Sequence, residues 1–181
     1  MSRRGASQNS AAANLLQRQL KEINTSNTLS GISVGLVRDD NVFQWEVSLM
    51  IHDDCKYYAG AIFRAHLTFP QEYPLMPPKL VFQRPIPFHP NIYPHGELCI
   101  SILHPPGEDN FGYESANERW TPVQTPETIL LSVISLFNEP NTDSPANIDA
   151  ALLLRADRDG KSKEFRKRVR QCVKESLGEE D

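Results

Sequence analysis

Hydrophobic and polar residues alternate with a period of two in the first half of the chain. In residues 43–49, and again in residues 61–69, every second residue is apolar. Alternation of this kind is typical of strands with one buried face. Turn signals at 39–41 and 53–54 separate the runs at short intervals, which favours an antiparallel meander. We therefore predict four strands, at about residues 32–38, 43–49, 61–69 and 80–82.

The pattern changes to helical spacing near both ends of the chain. Thr125 and Pro126 suit a helix N-cap and a first helical position, and an apolar stripe follows them until Asn138. We predict helices at about 12–23, 126–138, 147–155 and 162–177. Residues 83–126 show no regular pattern, and ordered irregular segments of this length usually carry function. The order helix, four strands, long loop and three helices predicts an α+β fold, with helices segregated against an antiparallel meander sheet.

Length and composition are ordinary for one soluble globular domain. The chain has 181 residues, of which 39% are hydrophobic, and a formal net charge of -4. This mild acidity disfavours nucleic-acid binding. No apolar run approaches the roughly 20 residues that a bilayer-spanning helix needs, so we expect no direct membrane insertion. Residues 1–12 lack the apolar core of a secretory signal, and we expect a disordered N-terminal extension before a domain at 13–178.

The three cysteines differ in their surroundings along the sequence. Cys172 falls on the apolar stripe of the last predicted helix, where burial as a small hydrophobe is the ordinary explanation. Cys55 follows two aspartates, whose charges disfavour a thiolate. Cys99 lies in the irregular segment, away from any periodic apolar face. An odd number of distant cysteines indicates a reducing compartment rather than a disulfide framework, so Cys99 is the best candidate for a reactive thiol.

Histidines near Cys99 raise two alternatives. His89, His95 and His104 lie in the same segment. However, neither Cys-x-x-Cys nor His-x-x-x-His spacing occurs around Cys99, so zinc is disfavoured and we expect no metal. No local cysteine-protease signature surrounds Cys99, although folding could bring a base histidine to it. Spacing alone therefore indicates a thiol in a functional loop and leaves its chemistry open.

Three motifs carry a specific resemblance. The His-Pro-Asn triplet at 89–91, followed by Cys99, resembles the active-site segment of ubiquitin-conjugating enzymes. The proline-rich stretch at 73–79 and the Trp-Thr-Pro at 120–122 resemble two further motifs of that family, and the resemblance covers roughly residues 15–177. It implies the UBC fold and an enzyme that accepts ubiquitin from an activating enzyme as a thioester on Cys99. Ubiquitin would then pass to a lysine of a substrate or of ubiquitin. ATP would be used by the upstream activating enzyme, so no cofactor is expected here.

An insert after the cysteine points to a subgroup. Residues 104–118 make this loop longer than in minimal family members, and with residues 135–149 they are similar to the G-type enzymes. The related cell-cycle subgroup shares the acidic insert but carries a long acidic tail, so we expect the G type here. The subgroup implies proteasomal degradation, including degradation associated with the endoplasmic reticulum. The expected location is the cytoplasm, with the nucleus, or the reticulum surface through a membrane partner, as alternatives.

The resemblance also assigns roles to the triplet. Nucleophilic attack on the thioester passes through an oxyanion, which needs a hydrogen-bond donor. By resemblance, the Asn91 side-chain amide supplies or orders that donor; an amide that only stabilises the loop is the alternative. His89 is expected to be a scaffold that bonds loop backbone rather than a general base.

Four more residues are implied near the attacking lysine. A lysine amine must lose a proton before it attacks, since its ordinary pKa is near 10.4. Ser144 matches the family's polar or acidic gate position, and His104, Glu108 and Asp109 match the groups that flank the site in this subgroup. These groups would orient the lysine or help to deprotonate it. The alternative for the carboxylates is a solvated acidic loop.

Partner surfaces are implied by the same resemblance. Arg18 and Lys21 match positions that dock the activating enzyme, and Leu131 matches the helix position that contacts donor ubiquitin. Contacts with a RING-type ligase are implied for Leu75, Pro122 and Val123. Core packing is the competing explanation for each of these residues. Protein substrates complete the expected set of partners.

The chain departs from the family pattern in three places. Residues 83–88 are one residue longer than usual and contain two extra prolines, Ile51-His52 replaces a Gly-Pro pair, and Ala61 replaces a common glycine. These changes leave the chemistry at Cys99 in place and bear on partner preference.

Three other functions compete: conjugation of a ubiquitin-like modifier, a non-catalytic ubiquitin- or ligase-binding variant, and a thiol protease. The acidic insert and the presence of both Cys99 and Asn91 favour ubiquitin conjugation.

Overall fold

The residues that the structure describes form a four-stranded sheet and four α-helices. The computed structural model describes residues 10–107 and 118–179. Its elements are α1 (Ala11–Thr25), β1 (Ile32–Leu36), β2 (Gln44–Met50), β3 (Ile62–Thr68), β4 (Lys79–Phe82), a short 3-10 helix (Ser101–Leu103), α2 (Pro126–Asn138), α3 (Ile148–Arg158) and α4 (Glu164–Ser176). The predicted α+β fold is confirmed.

The sheet is an antiparallel meander in the order β1-β2-β3-β4. Val47 of β2 stands opposite Val34 of β1 and Ala65 of β3, and Leu67 of β3 stands opposite Leu80 of β4. The alternating apolar residues of β2 and β3 are buried, while their polar neighbours point away from the core. The period-two pattern therefore predicted the buried face correctly, because side chains on a strand alternate between the two faces of a sheet.

Several element boundaries differ from the predicted ones. The Ser10 hydroxyl accepts a hydrogen bond from the Ala13 N–H, so α1 begins one residue earlier than expected. Strand β1 stops at Leu36, because a turn closed by the bond from the Asn41 N–H to the Arg38 carbonyl follows it. Helix α3 continues three residues past 155 to Arg158. Residues 1–9 lie outside the described residues, so the N-terminal extension stays a prediction.

Aromatic side chains between the sheet and α2 connect the core to the irregular segment. The Phe63 ring of β3 stacks on Phe137 of α2 at 5.5 Å between centroids. Tyr58 is fully buried beside them, and its hydroxyl donates to the Phe88 carbonyl at 2.7 Å. Each such ring contributes about 1.5–3 kcal/mol by burial. The core therefore fixes the chain at Phe88, directly before the His-Pro-Asn triplet.

The other two cysteines, Cys55 and Cys172, lie against the hydrophobic core. Cys55, whose thiolate the two preceding aspartates were expected to disfavour, is only 4% exposed, and its thiol donates to the Phe137 carbonyl at 3.4 Å. Cys55 is therefore a core residue that packs against the end of α2, which agrees with an unreactive thiol. Cys172 is half-buried rather than fully buried, and its thiol donates to the Ile86 carbonyl at 3.7 Å. Burial raises the pKa of the Cys172 thiol.

The described part of the chain has neither a membrane-spanning helix nor a cluster of metal-binding side chains. Among residues 10–107 and 118–179, none of the helices has the length and apolar character needed to cross a bilayer. The same residues contain no group of three or more His, Cys, Asp or Glu side chains placed to hold a metal ion.

Candidate active site

Cys99 lies at the end of a short extended segment that pairs with β4. The Leu98 N–H donates to the Leu80 carbonyl at 2.9 Å, and the Cys99 N–H donates to the Asn91 carbonyl at 2.9 Å. The 3-10 helix begins two residues later. Cys99 is half-buried, in contrast to Cys55. The backbone of the thiol residue is thus fixed on one side by the sheet and on the other by the triplet.

His89 is a buried, neutral scaffold residue. Its Nδ1 accepts the Asn91 N–H at 2.9 Å, and its Nε2 bonds the Leu136 carbonyl at 2.9 Å. Because Nδ1 is the acceptor, the proton resides on Nε2. Burial lowers the pKa of His89 from its usual value to about 4. Both ring nitrogens are occupied by backbone, so this geometry suits a fixed support rather than a proton acceptor.

The Asn91 amide holds a second loop against the active site. Its Oδ1 accepts the Asn141 N–H at 2.9 Å, and its Nδ2 donates to the Asn141 carbonyl at 2.9 Å. The neighbouring Pro90 carbonyl accepts two further N–H bonds, from Ala146 at 2.8 Å and from Asn147 at 3.0 Å. These paired bonds fix the orientation of the amide and tie residues 141–147 to the triplet. A primary amide carries two N–H groups, so the side chain can order this loop and still present a donor.

Two side chains approach the Cys99 sulfur. The His104 Nε2 lies 3.7 Å from Sγ. Tyr93 also contacts the sulfur: the charge of a Cys99 thiolate, and the hydrogen bond between the two side chains, raise the pKa of Tyr93. Tyr93 was not among the predicted site residues. A sequence signal for it exists in the Pro94-His95-Gly96 turn, which reverses the chain and brings Tyr93 back beside the strand of Cys99.

Two clefts meet at Cys99. The proline-side cleft has a volume of about 510 Å³ and is lined by Pro70, Pro77, Lys79, Tyr93, Glu97 and Leu103, among others. The helix-side cleft has a volume of about 700 Å³ and is lined by Asn91, Ser101, His104, Leu136, Asp143 and Ser144, among others. Cys99 and His104 belong to both. A thiol between two grooves can be reached by two reactants from different directions.

Ser144 lies in the helix-side cleft together with Cys99. It is exposed and has a positive φ of 47°, an unusual conformation for a residue with a side chain. Arg155 of α3 supports this loop, because its guanidinium donates to the Thr142 carbonyl at 2.8 Å and lies 3.5 Å from the Asp143 carboxylate. The loop therefore places the predicted gate position in the cleft that the thiol also lines. Glu108 and Asp109 lie outside the described residues.

The predicted partner residues are all on the surface. Arg18 and Lys21 are exposed on α1, and Leu131 is 43% exposed on α2. Leu75 and Val123 are 67% and 81% exposed. Core packing is therefore the wrong explanation for these residues.

The loops that carry the predicted ligase contacts are joined. The Trp120 indole N–H donates to the Pro74 carbonyl at 2.9 Å, and its ring packs 6.1 Å from Tyr73 between centroids. Pro122 is exposed beside Val123, and Leu75 directly follows Pro74. The indole thus connects the two loops that carry the exposed apolar side chains.

Comparisons with known proteins agree with this geometry. A family model described as ubiquitin-conjugating enzyme matches residues 15–173. Ubiquitin-conjugating enzyme E2 15 of Schizosaccharomyces pombe is 55% identical over 168 residues, covering 93% of this chain and 96% of that protein. Ubiquitin-conjugating enzyme E2 G2 of Homo sapiens is 49% identical over 154 residues, covering 85% and 90%. The solved structure of human ubiquitin-conjugating enzyme E2 G1 aligns with a TM-score of 0.61 at 45% identity, covering 72% of this chain and 97% of that one.

Proposed function

The chain belongs to the ubiquitin-conjugating enzyme family, and we propose that Cys99 carries ubiquitin as the thioester intermediate of these transferases. Enzymes of this family receive ubiquitin from an activating enzyme and act with ligases. The position of the thiol supports the proposal most directly, because Cys99 lies where two clefts meet. Cys55 is buried against α2, and burial raises the pKa of Cys172, which disfavours its thiolate.

The reaction proceeds in two acyl transfers. The Cys99 thiolate attacks the ubiquitin carbonyl held as a thioester on the activating enzyme, a new C–S bond forms, and the activating enzyme's thiolate leaves. An acceptor lysine amine then attacks the same carbonyl. The new C–N bond forms, the C–S bond to Cys99 breaks, and the amine proton passes to a base. ATP is consumed before these steps, so Cys99 needs no cofactor.

Asn91 acts on the oxyanion of the second step. Its amide is held by two bonds to the Asn141 backbone, so it does not have to reorganise when negative charge develops. Donors fixed in this way stabilise an oxyanion more than mobile ones. Ser144 and His104, with Glu108 and Asp109 of the insert, orient the incoming lysine and receive its proton.

Partners contact three sets of exposed residues. The activating enzyme docks on the exposed basic residues Arg18 and Lys21 of α1, and donor ubiquitin contacts Leu131 of α2. A RING-type ligase contacts the apolar loop residues Leu75, Pro122 and Val123, whose exposure suits a transient interface. The loops of this last surface are connected through Trp120 and Pro74.

The cellular role follows from the insert at 104–118, which resembles that of the G-type enzymes. We assign the enzyme to proteasomal degradation, including degradation at the endoplasmic reticulum, to which a membrane-bound partner recruits it. A panel of ligases tests this assignment by the rate of ubiquitin-chain formation. Failure with every ligase of that pathway, with normal loading of Cys99, would contradict it.

A non-reducing gel tests the role of Cys99. The protein is mixed with activating enzyme, ubiquitin and ATP, and compared with the variants Cys99→Ser, Cys99→Lys and Cys172→Ser. We expect a reductant-sensitive band, one ubiquitin heavier, in the wild type and in Cys172→Ser. Cys99→Ser should give a reductant-resistant ester at most, and Cys99→Lys a stable amide. A wild type that folds but forms no adduct overturns the proposal, and parallel reactions with ubiquitin-like modifiers then identify the alternative.

A further inference from the structure

The proline-side cleft has no assigned occupant in the reaction described above. It begins at Cys99 and extends between the proline-rich segment and the strand-like residues before the thiol. Ser144 and Asn91, the groups proposed to act on the reacting carbonyl and amine, lie in the other cleft. An acceptor lysine reaches Cys99 as part of a polypeptide, so residues next to that lysine must lie close to the thiol as well. The proline-side cleft is continuous with the thiol and can receive them.

Glu97 faces this cleft beside Cys99. Residues 97 and 98 pair in an extended conformation with Val81 and Ile92, and Leu98 between Glu97 and Cys99 is only 5% exposed. Alternation in an extended chain therefore directs Glu97 and Cys99 to the same face, about 7 Å apart. Side chains two positions apart in an extended acceptor have the same separation. An acceptor that runs extended alongside residues 97–99, with its lysine at the Cys99 thioester, therefore places the side chain two residues away near Glu97.

The position of Glu97 is fixed by its own backbone. The Tyr93 N–H donates to the Glu97 carbonyl at 2.9 Å, and the Phe82 N–H donates to the Gly96 carbonyl at 2.7 Å. The carboxylate lies 3.8 Å from the Lys79 ammonium and 3.4 Å from the His95 ring, and its side chain is 34% exposed. Glu97 is therefore a held carboxylate at the wall of the cleft rather than a mobile surface group.

The charged side chains that line the cleft favour a cation. Glu72 and Glu97 contribute two carboxylates and Lys79 one ammonium. Even with Lys79 paired to Glu97, one negative charge remains in excess. Arginine suits such a site best, because its guanidinium can bridge carboxylate oxygens and cannot itself be ubiquitinated.

We propose that the proline-side cleft binds the acceptor polypeptide next to its target lysine, and that Glu97 selects acceptors with a cationic residue two positions from that lysine. This inference rests on the proposed role of Cys99 and adds a substrate preference to it. A partly exposed ion pair is worth about 0.2–1 kcal/mol, which corresponds to a preference of about 1.4- to fivefold.

The experiment is a competition between acceptor peptides. Cys99 is loaded with ubiquitin, ATP is removed, and pairs of N-acetylated peptides with a single lysine compete for the thioester. One peptide of each pair has arginine two residues before or after the lysine, and the other has glutamine or glutamate there. Mass spectrometry measures the ratio of the two products for the wild type, Glu97→Gln, Glu97→Lys and Lys79→Gln. Glu175→Gln on α4 is the matched control, because it removes a carboxylate that does not line the cleft.

We expect the wild type and Glu175→Gln to prefer the arginine peptide by about threefold at low salt, and less at high salt. Glu97→Gln should remove the preference, Glu97→Lys should reverse it, and Lys79→Gln should increase it. A purely structural role of Glu97 would slow both peptides equally and leave the ratio unchanged. Equal ratios in the wild type and in Lys79→Gln overturn the inference even if the Glu97 variants fail to fold. Loading of Cys99 is measured first, so failure of the proposed function is seen separately as absence of the thioester.

Discussion

The two sides of Cys99 are built differently. We define the braced side as His89, Asn91 and Gly96, which are all buried. His89 bonds the backbone of α2, Asn91 bonds the backbone of the loop at 141, and Gly96 bonds the backbone of β4. On the open side, defined as His104 and Ser144, the side chains are half-buried or exposed. The braced side fixes the sulfur and the oxyanion donor before any reactant arrives. The open side is completed only when ubiquitin and the acceptor exclude water from the cleft.

The largest effect should come from Asn91→Ala on the braced side. Removing one preorganised oxyanion donor typically slows a reaction about 100- to 1000-fold. We expect that loss in single-turnover discharge of the preloaded thioester to free lysine, measured after ATP has been removed. Asn141→Ala is the control, because Asn91 bonds the backbone of Asn141 and not its side chain. An equal loss in both variants would show that the loop, rather than the Asn91 amide, controls the rate.

Acid should lower the free energy of unfolding through His89, which belongs to the braced side. Because the pKa of His89 falls to about 4 in the folded protein, the unfolded chain binds its proton first as the pH decreases. Stability is therefore full above about pH 6.5 and is lost progressively between about pH 6.5 and about pH 4, by about 3 kcal/mol in total. Burial is the physical cause of the lowered pKa, because a buried imidazolium loses its hydration. Protonation of Nδ1 would also place an N–H against the Asn91 N–H.

Denaturant unfolding across this pH range measures the loss. The control is His52→Gln, which replaces an exposed histidine in a turn and should retain the wild-type dependence. Asp157 adds a separate loss at lower pH, since its hydrogen bond with Arg166 lowers the pKa of that carboxyl. A free energy of unfolding that stays constant from pH 6.5 to 4 would contradict the neutral, buried state of His89.

A smaller loss of stability is expected for Gly96→Ala. Gly96 has a φ of 107°, and an added Cβ would lie 2.3 Å from the Phe82 carbonyl oxygen. Backbone strain of this kind costs about 1–3 kcal/mol. Gly35→Ala is the control, because Gly35 has open space around it in β1 and should change stability little. Equal unfolding free energies for the two variants would show that the turn at Gly96 can move away from β4.

The smallest effect should come from Ser144→Ala on the open side. Its hydroxyl is exposed, so water can replace it, and we expect discharge to slow by about threefold at most. Loading of Cys99 should be unchanged. Single-turnover discharge to free lysine measures this effect beside Asn91→Ala. A loss as large as that of Asn91→Ala would remove the distinction between the two sides.

Most of the fold follows from local patterns in the sequence. Period-two alternation predicted β2 and β3, and Thr125 with Pro126 marked the start of α2. These signals are local, because side-chain alternation and helix capping involve residues a few positions apart. Element ends were less accurate, as at Leu36 and Arg158, because turn bonds and packing between helices decide where an element stops.

The sequence by itself also determined the candidate chemistry, since the His-Pro-Asn triplet and Cys99 form a recognisable motif. Only the tertiary structure brought Asn91 to Asn141 and His89 to Leu136, residues that are distant along the chain. It also buried Cys55 against α2 and placed Tyr93 beside the thiol. Long-range hydrogen bonds leave no periodic trace in a sequence, because each partner is chosen by the packing of whole elements. The two clefts at Cys99 are likewise spaces between elements, and no single segment encodes them.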